Sequence, residues 1–359
     1  MNNVYITAIK QISAQQPLVD DWFESPVLYS EQFIRALEPE YKQFFTPNEV
    51  RRLGKILKRS LVVSRLAMSE SGVLKPDAII TGTGLGCIEN TEIFLEKLVR
   101  EGEEFLNPTY FMQSTHNTIS SLIAIDTKCN AYNITYSHKG VSFESALMDA
   151  FLQFKNEERP ISTALVGAHD EMTPVYFGFL KKAGYFGKQG QTFAGETSVA
   201  MMLSAEKSDD SFCEIEAVEK FYTDHNCVPS FSNCAQPQRH CGLDTQPPQL
   251  SDTAKTSNID AIMVGTNGVK QNDKIYYENC AKLFPNIPLL QYKHIFGECY
   301  TAPALGIYAA AVCLKNGEIP NHLFLESKAG NQIQKPVKKI LVYNHVEGKN
   351  HSMILLSAN

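Results

Sequence analysis

The sequence predicts an α/β protein, in which β-strands alternate with α-helices along the chain. Three observations support this fold class. Short runs of apolar, β-branched residues recur through the sequence, beginning with residues 4–9. Segments with apolar residues at helical spacing lie between these runs. Turns rich in glycine or polar residues separate the two kinds of segment, and this alternation is typical of parallel or mixed sheets.

In the first part of the chain, β-branched or buried-type runs predict strands at residues 4–9, 77–81, 134–136, 163–168, 197–203 and 214–218. Helical spacing predicts helices at residues 51–61, 89–101 and 143–154. The glycines of residues 82–86 follow the second strand and predict a tight turn that needs positive φ. Their spacing is Gly-x-Gly-x-Gly, and no acidic residue ends a second strand about 20 residues later, so a dinucleotide-binding site is not favoured.

In the second part, strands are predicted at residues 258–264, 339–343 and 352–357, and helices at residues 273–283 and 297–314. Residues 223–257 differ in composition, because Pro, Gln, Ser, Asn and Thr dominate there. Such a segment predicts a long, variable surface loop. The chain therefore divides into residues 1–222, the loop at 223–257, and residues 258–359.

The bulk properties exclude several functional classes. A chain of 359 residues is long enough for two domains or two half-domains that share a core. Its net charge of −6 argues against a nucleic-acid-binding protein, which normally carries a basic face. No apolar run reaches the roughly 18 residues that a membrane span needs. The first residues lack the basic and apolar regions of a signal peptide, so we expect a cytoplasmic protein without membrane contact.

The cysteines favour an intracellular protein with free thiols. There are nine, an odd number scattered over a long chain. Cys227, Cys234 and Cys241 form the one local cluster, with His225 and His240 close by. Their spacing of seven does not match the tight pairs of zinc sites. We therefore predict no metal site and no cofactor.

Several segments, in the expected order, resemble those of the β-ketoacyl synthases. Lys293 to Glu298 resembles the segment of that family that reads Lys-x-x-x-Gly-His, and a helix rich in small residues follows it. The other resembling segments are residues 4–9, 82–86, 167–171, 195–200, 317–320 and 344–350. The resemblance covers nearly the whole chain. It implies the thiolase-like fold, with two pseudo-symmetric α/β halves in a layered αβαβα core.

The same resemblance identifies the positions where that family carries its catalytic groups. It implies that Ser137 stands at the position of the nucleophilic thiol, which belongs at a helix N-terminus. Gly265 stands where the first histidine would be, and Glu298 stands where the second would be. Lys293 is retained. Because a carboxylate accepts hydrogen bonds but cannot donate them, we expect the condensing chemistry to be lost.

The resemblance therefore implies a non-condensing partner of an active β-ketoacyl synthase in fatty-acid or polyketide biosynthesis. This role is similar to that of the chain-length factors of type II polyketide and aryl polyene systems. Implied partners are an active synthase subunit in a heterodimer, or a second copy in a homodimer, together with acyl carrier protein. Candidate interface or tunnel residues are Phe111, Met112, His116, Asn117 and Phe143.

Two other interpretations stay open. In the first, Ser137 is an acyl acceptor and Glu298 a base, which would give an acyltransferase or hydrolase on the same scaffold. Each missing hydrogen-bond donor typically costs about 10²–10³ in rate, so three altered positions weaken this interpretation. In the second, the chain only docks acyl carrier protein, through the basic residues at 51–59. The acidic net charge argues against that role.

Overall fold

A computed structural model describes residues 2–51, 53–104, 106–186, 192–223, 258–325 and 336–359. The predicted variable loop, apart from its first residue at 223, lies outside the described residues. So does the cysteine and histidine cluster within it.

Ten described strands form one mixed sheet. The strands are β1 Tyr5–Ile12, β2 Ala78–Gly82, β3 Tyr132–Tyr136, β4 Thr163–Asp170, β5 Thr197–Ser204, β6 Cys213–Tyr222, β7 Ala261–Val264, β8 Leu289–Gln291, β9 Lys339–Val346 and β10 Asn350–Ser357. Their order across the sheet is β3-β2-β4-β5-β1-β6-β10-β9-β7-β8. The nine predicted strands are present, although their ends differ by up to a few residues. The strand β8 was not predicted, because three residues are too few to show a period.

The sheet repeats one pattern of pairing twice. β1 pairs antiparallel with β5, β5 pairs antiparallel with β4, and β4, β2 and β3 run parallel. β6, β10, β9, β7 and β8 repeat this arrangement in the same order. The two sets meet where β1 and β6 pair antiparallel over two residues. The second set of strands begins with β6 at Cys213, which lies within the first predicted part, residues 1–222.

The helices are α1 Pro47–Val50, α2 Lys55–Ser71, α3 Ile88–Glu101, α4 Pro108–Ser114, α5 Thr118–Thr127, α6 Ser142–Phe154, α7 Pro174–Lys182, α8 Lys270–Leu283, α9 Lys293–Phe296 and α10 Pro303–Asn316. The helix predicted at residues 297–314 is wrong in its first turn. Gly297 has a φ of +87°, which ends α9, and α10 begins only at Pro303. Proline is favoured in the first turn of a helix, where its missing N–H costs nothing.

Three apolar clusters show how the helices pack on the sheet. The largest contains α6 and α10 together with strands of both halves. A second cluster joins α2 and α5 to the opposite side of the first half. A third joins α8 to the opposite side of the second half. The layers are therefore helix, sheet, helix, sheet and helix, as the sequence predicted. No helix among the described residues is long and apolar enough to cross a membrane.

The helix α6 lies unusually close to the end of β2. A Cβ atom at Gly82 would come 2.6 Å from the backbone of Phe143, so glycine is required there. Phe143 is fully buried in the middle layer. This contact fixes the first turn of α6 above the carboxyl ends of β2 and β3, where the candidate site lies.

Candidate functional site

A small cavity of about 40 Å³ lies where the two halves contribute equivalent chain ends. Its walls come from the turns after β3 and β7, the segment after β8, the helix α8, and the hairpin between β9 and β10. The lining residues are Gly140, Tyr185, Gly265, Asn267, Asn272, Tyr276, Lys293, Glu298, Cys299, Tyr300, Pro303, Asn344, His345, Val346 and Glu347. Three of the four predicted catalytic positions are therefore together, and Ser137 is not among the lining residues.

Lys293 and Glu298 form a buried ion pair in this cavity. The Lys293 Nζ atom lies 2.7 Å from Glu298 Oε2, and the two residues are 5% and 3% exposed. Asn267 Nδ2 donates to the same oxygen at 3.2 Å. The carboxylate thus accepts hydrogen bonds from two sides. Because it cannot donate one, it cannot take the part of a neutral imidazole beside a substrate carbonyl.

The backbone around Glu298 explains why the side chain points inward. Its N–H donates to the carbonyl of Phe193 at 2.7 Å, and its own carbonyl accepts from the N–H of Gly195 at 3.0 Å. These bonds form a bridge with Ala194, next to β5. The segment is therefore held in an extended conformation between α9 and α10, which is why the helix predicted at 297–314 does not form there.

Gly265 has no space for a larger side chain. A Cβ atom there would lie 2.6 Å from Asn344 Oδ1 and 2.7 Å from the hydroxyl of Tyr276. Tyr276 donates to Asn344 Oδ1 at 2.9 Å, so the two side chains hold each other in place. The volume beside the position predicted for the first histidine is thus occupied by a tyrosine and an asparagine. Tyr276 was not predicted from the sequence, because nothing in the sequence of α8 distinguishes it from the other apolar residues of that helix.

A second buried carboxyl group continues this network away from the cavity. Asn344 Nδ2 donates to Glu144 Oε1 at 2.8 Å, and the hydroxyl of Ser352 donates to the same atom at 3.3 Å. Glu144 is fully buried, and burial raises its pKa. Burial lowers the pKa of His345 to about 3, so that imidazole is neutral. The network therefore joins the cavity to a second buried carboxyl group through Asn344.

The turn between β3 and α6 has its strained residue at Lys139. This lysine has a φ of +50°, which non-glycine residues rarely adopt. A strained strand-to-helix turn is where enzymes of several folds present a nucleophile. The structure therefore favours Lys139 over Ser137 as the residue at the tip of the turn. Ser137 lies two residues before Lys139 and is exposed. Gly140, the residue after Lys139, is the part of this turn that lines the cavity.

Bulky side chains close the approach to this turn. A Cβ atom at Gly84 would lie 2.4 Å from Tyr300, and one at Gly140 would lie 2.8 Å from Val346. The hydroxyls of Tyr300 and Tyr176 are 3.0 Å apart. A water molecule needs a cavity volume of about 10–15 Å³. The cavity, at about 40 Å³, therefore has room for a few water molecules. It has no room for an acyl chain.

The glycine-rich turn after β2 binds a carboxylate of the protein itself. Asp170 Oδ1 accepts hydrogen bonds from the Thr83 hydroxyl and from the N–H groups of Gly84 and Leu85, at 2.9–3.0 Å. Burial raises the pKa of Asp170 to about 6. The amides that would hold a phosphate in a dinucleotide site are therefore already used.

The predicted interface residues fall into two groups. Phe111 and Met112 are 58% and 68% exposed on α4, a helix without buried side chains. His116 and Asn117 are also exposed, and Asn117 is the N-cap residue of α5. Phe143 lies apart from these four, because it is buried in the middle layer. Across the described ranges, no group of three or more His, Cys, Asp or Glu side chains is arranged to hold a metal ion.

The layered fold, with a polar cavity at the helix ends of both halves, is that of the thiolase-like condensing enzymes. The profile described as beta-ketoacyl synthase, N-terminal domain, matches residues 44–257, more than half of the chain. The chain therefore belongs to the β-ketoacyl synthase family. A search of curated proteins found no match.

Solved structures similar to this chain include three condensing-enzyme assemblies or subunits. The ishigamide ketosynthase/chain length factor is 16% identical, with a TM-score of 0.74 over 100% of this chain and 99% of that one. The ketosynthase ApeO in complex with its chain length factor ApeC, from Xenorhabdus doucetiae, is 14% identical, with a TM-score of 0.74 over 100% and 98%. A beta-ketoacyl synthase from Burkholderia phymatum STM815 is 13% identical, with a TM-score of 0.71 over 100% of both chains. At these identities the similarity establishes the fold.

Proposed function

We propose that this chain is a non-condensing subunit that pairs with an active β-ketoacyl synthase, in the manner of a chain-length factor. It would act in polyketide or fatty-acid biosynthesis in the cytoplasm, with acyl carrier protein as a further partner. Similar structures include two complexes of a ketosynthase with its chain length factor, which supports this assignment. A ketosynthase bound to its acyl-carrier protein is also similar, at a TM-score of 0.73.

The observation that carries the proposal is the state of the former catalytic centre. At Glu298 a carboxylate is paired with Lys293 where a hydrogen-bond donor is needed. At Gly265 a side chain is missing, and Tyr276 and Asn344 fill the adjoining space. With no acyl-sized space beside them, these residues support a structural role for the centre and a functional role elsewhere on the surface.

Two surface features support pairing with a second condensing-enzyme chain. The strand β3 is an edge strand, since its one partner among the described strands is β2. Edge strands with free backbone groups are natural sites for adding a strand from another chain. The exposed apolar side chains of Phe111 and Met112 lie on α4, and neighbouring Phe94 on α3 contacts Phe111 with ring centroids 5.4 Å apart. We propose that α4 faces the acyl chain that the partner extends, with His116 and Asn117 at the interface. Phe143 is buried in the middle layer and is not part of this surface.

The proposal is tested by producing the chain together with an active β-ketoacyl synthase from the same organism. The expected result is a one-to-one complex on size-exclusion chromatography with light scattering. Chain elongation on acyl carrier protein should need both chains. An active synthase that works equally well without this chain, or a homodimer of this chain that condenses malonyl and acyl groups alone, would overturn the proposal.

Acyl transfer at Ser137 is the weaker alternative. Its proposed base, Glu298, is 3% exposed and bound to Lys293, whereas Ser137 is exposed and does not line the cavity. A general base must reach the proton it removes, directly or through one water molecule. No described contact joins these two side chains, so the geometry does not favour this pair.

A further inference from the structure

Outside the cavity, a lysine and a histidine converge on the hydroxyl of one serine. Ser145 Oγ lies 2.5 Å from Lys220 Nζ and 3.3 Å from His138 Nδ1. Ser145 is in the first turns of α6, Lys220 is near the end of β6, and His138 is in the turn after β3. The proposed pairing function uses none of these three residues.

The surroundings of Lys220 favour an amine that can accept a proton. Burial lowers the pKa of Lys220, and the carboxyl group of Glu144 opposes this shift. Glu144 is itself fully buried, and its Oε1 atom accepts hydrogen bonds from Asn344 and Ser352. In the sheet register the β10 residue beside Lys220 is the uncharged Ser352. A desolvated lysine within hydrogen-bond reach of a serine is a known arrangement for activating that serine.

The position of Ser145 favours negative charge on its oxygen. It is the fourth residue of a 13-residue helix, where the helix dipole stabilises an anion. Its hydroxyl now donates to the carbonyl of Val141 at 2.7 Å and must rotate to donate to Lys220. Ser145 is 6% exposed, but His138 is exposed, so the cluster reaches the surface on the histidine side.

We propose that Ser145 is an acyl acceptor, with Lys220 as its base and His138 as a positioning residue, and that its substrate is an acyl thioester. The choice of thioester follows from the leaving group. A thiol has a reference pKa of about 8.5, so a thiolate leaves readily, whereas an amide would release a far more basic amine.

The step is a simple acyl exchange. Ser145 Oγ attacks the carbonyl carbon of the thioester while its proton passes to the unprotonated Nζ of Lys220. The carbon–sulfur bond then breaks, and the departing thiolate takes the proton from the Lys220 ammonium. The products are an ester at Ser145 and a free thiol, and no oxidant, reductant or metal is needed.

The test uses the purified full-length chain and S-acetyl-N-acetylcysteamine, a small acyl thioester. Intact mass and peptide mapping should find one acetyl group, on Ser145. S145A should abolish this label, and K220R should reduce its rate by about 10² or more, because arginine keeps the charge but cannot serve as a base. The control is S25A, which removes an exposed serine outside this cluster and should leave labelling unchanged.

A second readout separates a chemical role from a structural one. The labelling rate should rise with pH as Lys220 loses its proton, and H138A should lower the rate without removing that pH dependence. A label on Ser137, on lysine side chains or on no serine, or equal labelling of S145A and wild type, would overturn the assignment. Pairing with a synthase is measured separately and should be unaffected by S145A, so failure of either proposal can be distinguished from failure of the other.

Discussion

Lys293 Nζ and Glu298 Oε2 are 2.7 Å apart, and each side chain is the charged partner that allows the other to be buried. Both follow β8 and stand five positions apart on either side of Gly297, whose positive φ turns the chain back. The cavity is therefore lined on this side by a closed ion pair.

Substituting Glu298 with glutamine should strongly destabilise the protein. The amide would leave the Lys293 ammonium buried without a counter-charge, and breaking a buried pair typically costs about 3–5 kcal/mol. Urea unfolding followed by circular dichroism measures the change. The matched control is E96Q, which breaks the exposed pair between Arg100 and Glu96 and should change the free energy of unfolding by less than about 1 kcal/mol. If E298Q were as stable as E96Q, Lys293 would not depend on this carboxylate.

Adding a methyl group at Gly265 should also destabilise the protein, because Asn344 and Tyr276 leave no space for it. Overpacking of this kind costs about 1–3 kcal/mol. In a Y276F background the same G265A substitution should cost less, since the hydroxyl it would meet is gone. Thermal and urea unfolding of wild type, G265A, Y276F and the double variant complete a double-mutant cycle. The cycle gives the coupling free energy between the two positions.

The control for that cycle is G178A, in α7, where a Cβ atom would meet nothing within 4 Å. Alanine is the better helix former, so G178A should be neutral or stabilising by up to about 1 kcal/mol. A G265A protein as stable as G178A would show that Asn344 and Tyr276 can move to make room for a methyl group.

The buried carboxyl group of Glu171 should make stability depend on pH. Burial raises its pKa from 4.5 to about 7, although it accepts a hydrogen bond from the N–H of Glu89 at 3.0 Å. The folded state therefore binds the proton more tightly than the unfolded state. The contribution to stability is present below pH 4.5 and is lost as the pH rises through about 7, on the order of 3 kcal/mol.

In E171Q this part of the pH dependence should disappear, because glutamine still accepts the Glu89 hydrogen bond but does not titrate. Urea unfolding across that pH range, for wild type and variant, measures the difference. E278Q removes an exposed carboxylate on α8 and should follow wild type at every pH. If the free energy of unfolding of E171Q depended on pH as it does in wild type, other buried groups, such as Asp170, would dominate the pH dependence.

Charged residues on α4 should prevent pairing with a synthase subunit. The variant F111D/M112D places carboxylates where the proposed interface is apolar, whereas both positions are exposed in the isolated chain. We therefore expect loss of the one-to-one complex with little change in the stability of the chain itself. Leu74, 83% exposed in the loop before β2, provides the control variant L74D. Complexes that survive F111D/M112D but not L74D would place the interface elsewhere.

The alternation of strands and helices could be predicted from the sequence because it depends on local patterns. Even the weak strand β3 is where its short run of residues predicts it. The start of α10 could not be predicted in this way. Residues 297–302 lead directly into an alanine-rich helical segment, so the prediction extended the helix back to Gly297. The bridge between Glu298 and Ala194, over a hundred positions apart, holds this segment extended instead.

The cavity could be predicted only in part, for the same physical reason. Lys293 and Glu298 were identified by their resemblance to a family motif, and Gly265 by its place between the strand predicted at residues 258–264 and the Asn272–Asp273 pair. Tyr276 and Asn344 were not identified as a pair, because their hydrogen bond joins residues 68 positions apart. The positive φ of Lys139 could not be predicted either, since a lysine gives no local signal for a left-handed conformation.

The place of β6 in the sheet limits how this polypeptide can be dissected. A fragment that ends at residue 222 would carry β6 without β10, which hydrogen-bonds to it along nearly its whole length. The unpaired apolar edge of β6 would promote aggregation. A cut between Ser204 and Cys213 would break only a two-residue pairing, but it would still split the apolar contacts between α6 and α10. The duplicated halves are therefore expected to unfold together as a single cooperative unit.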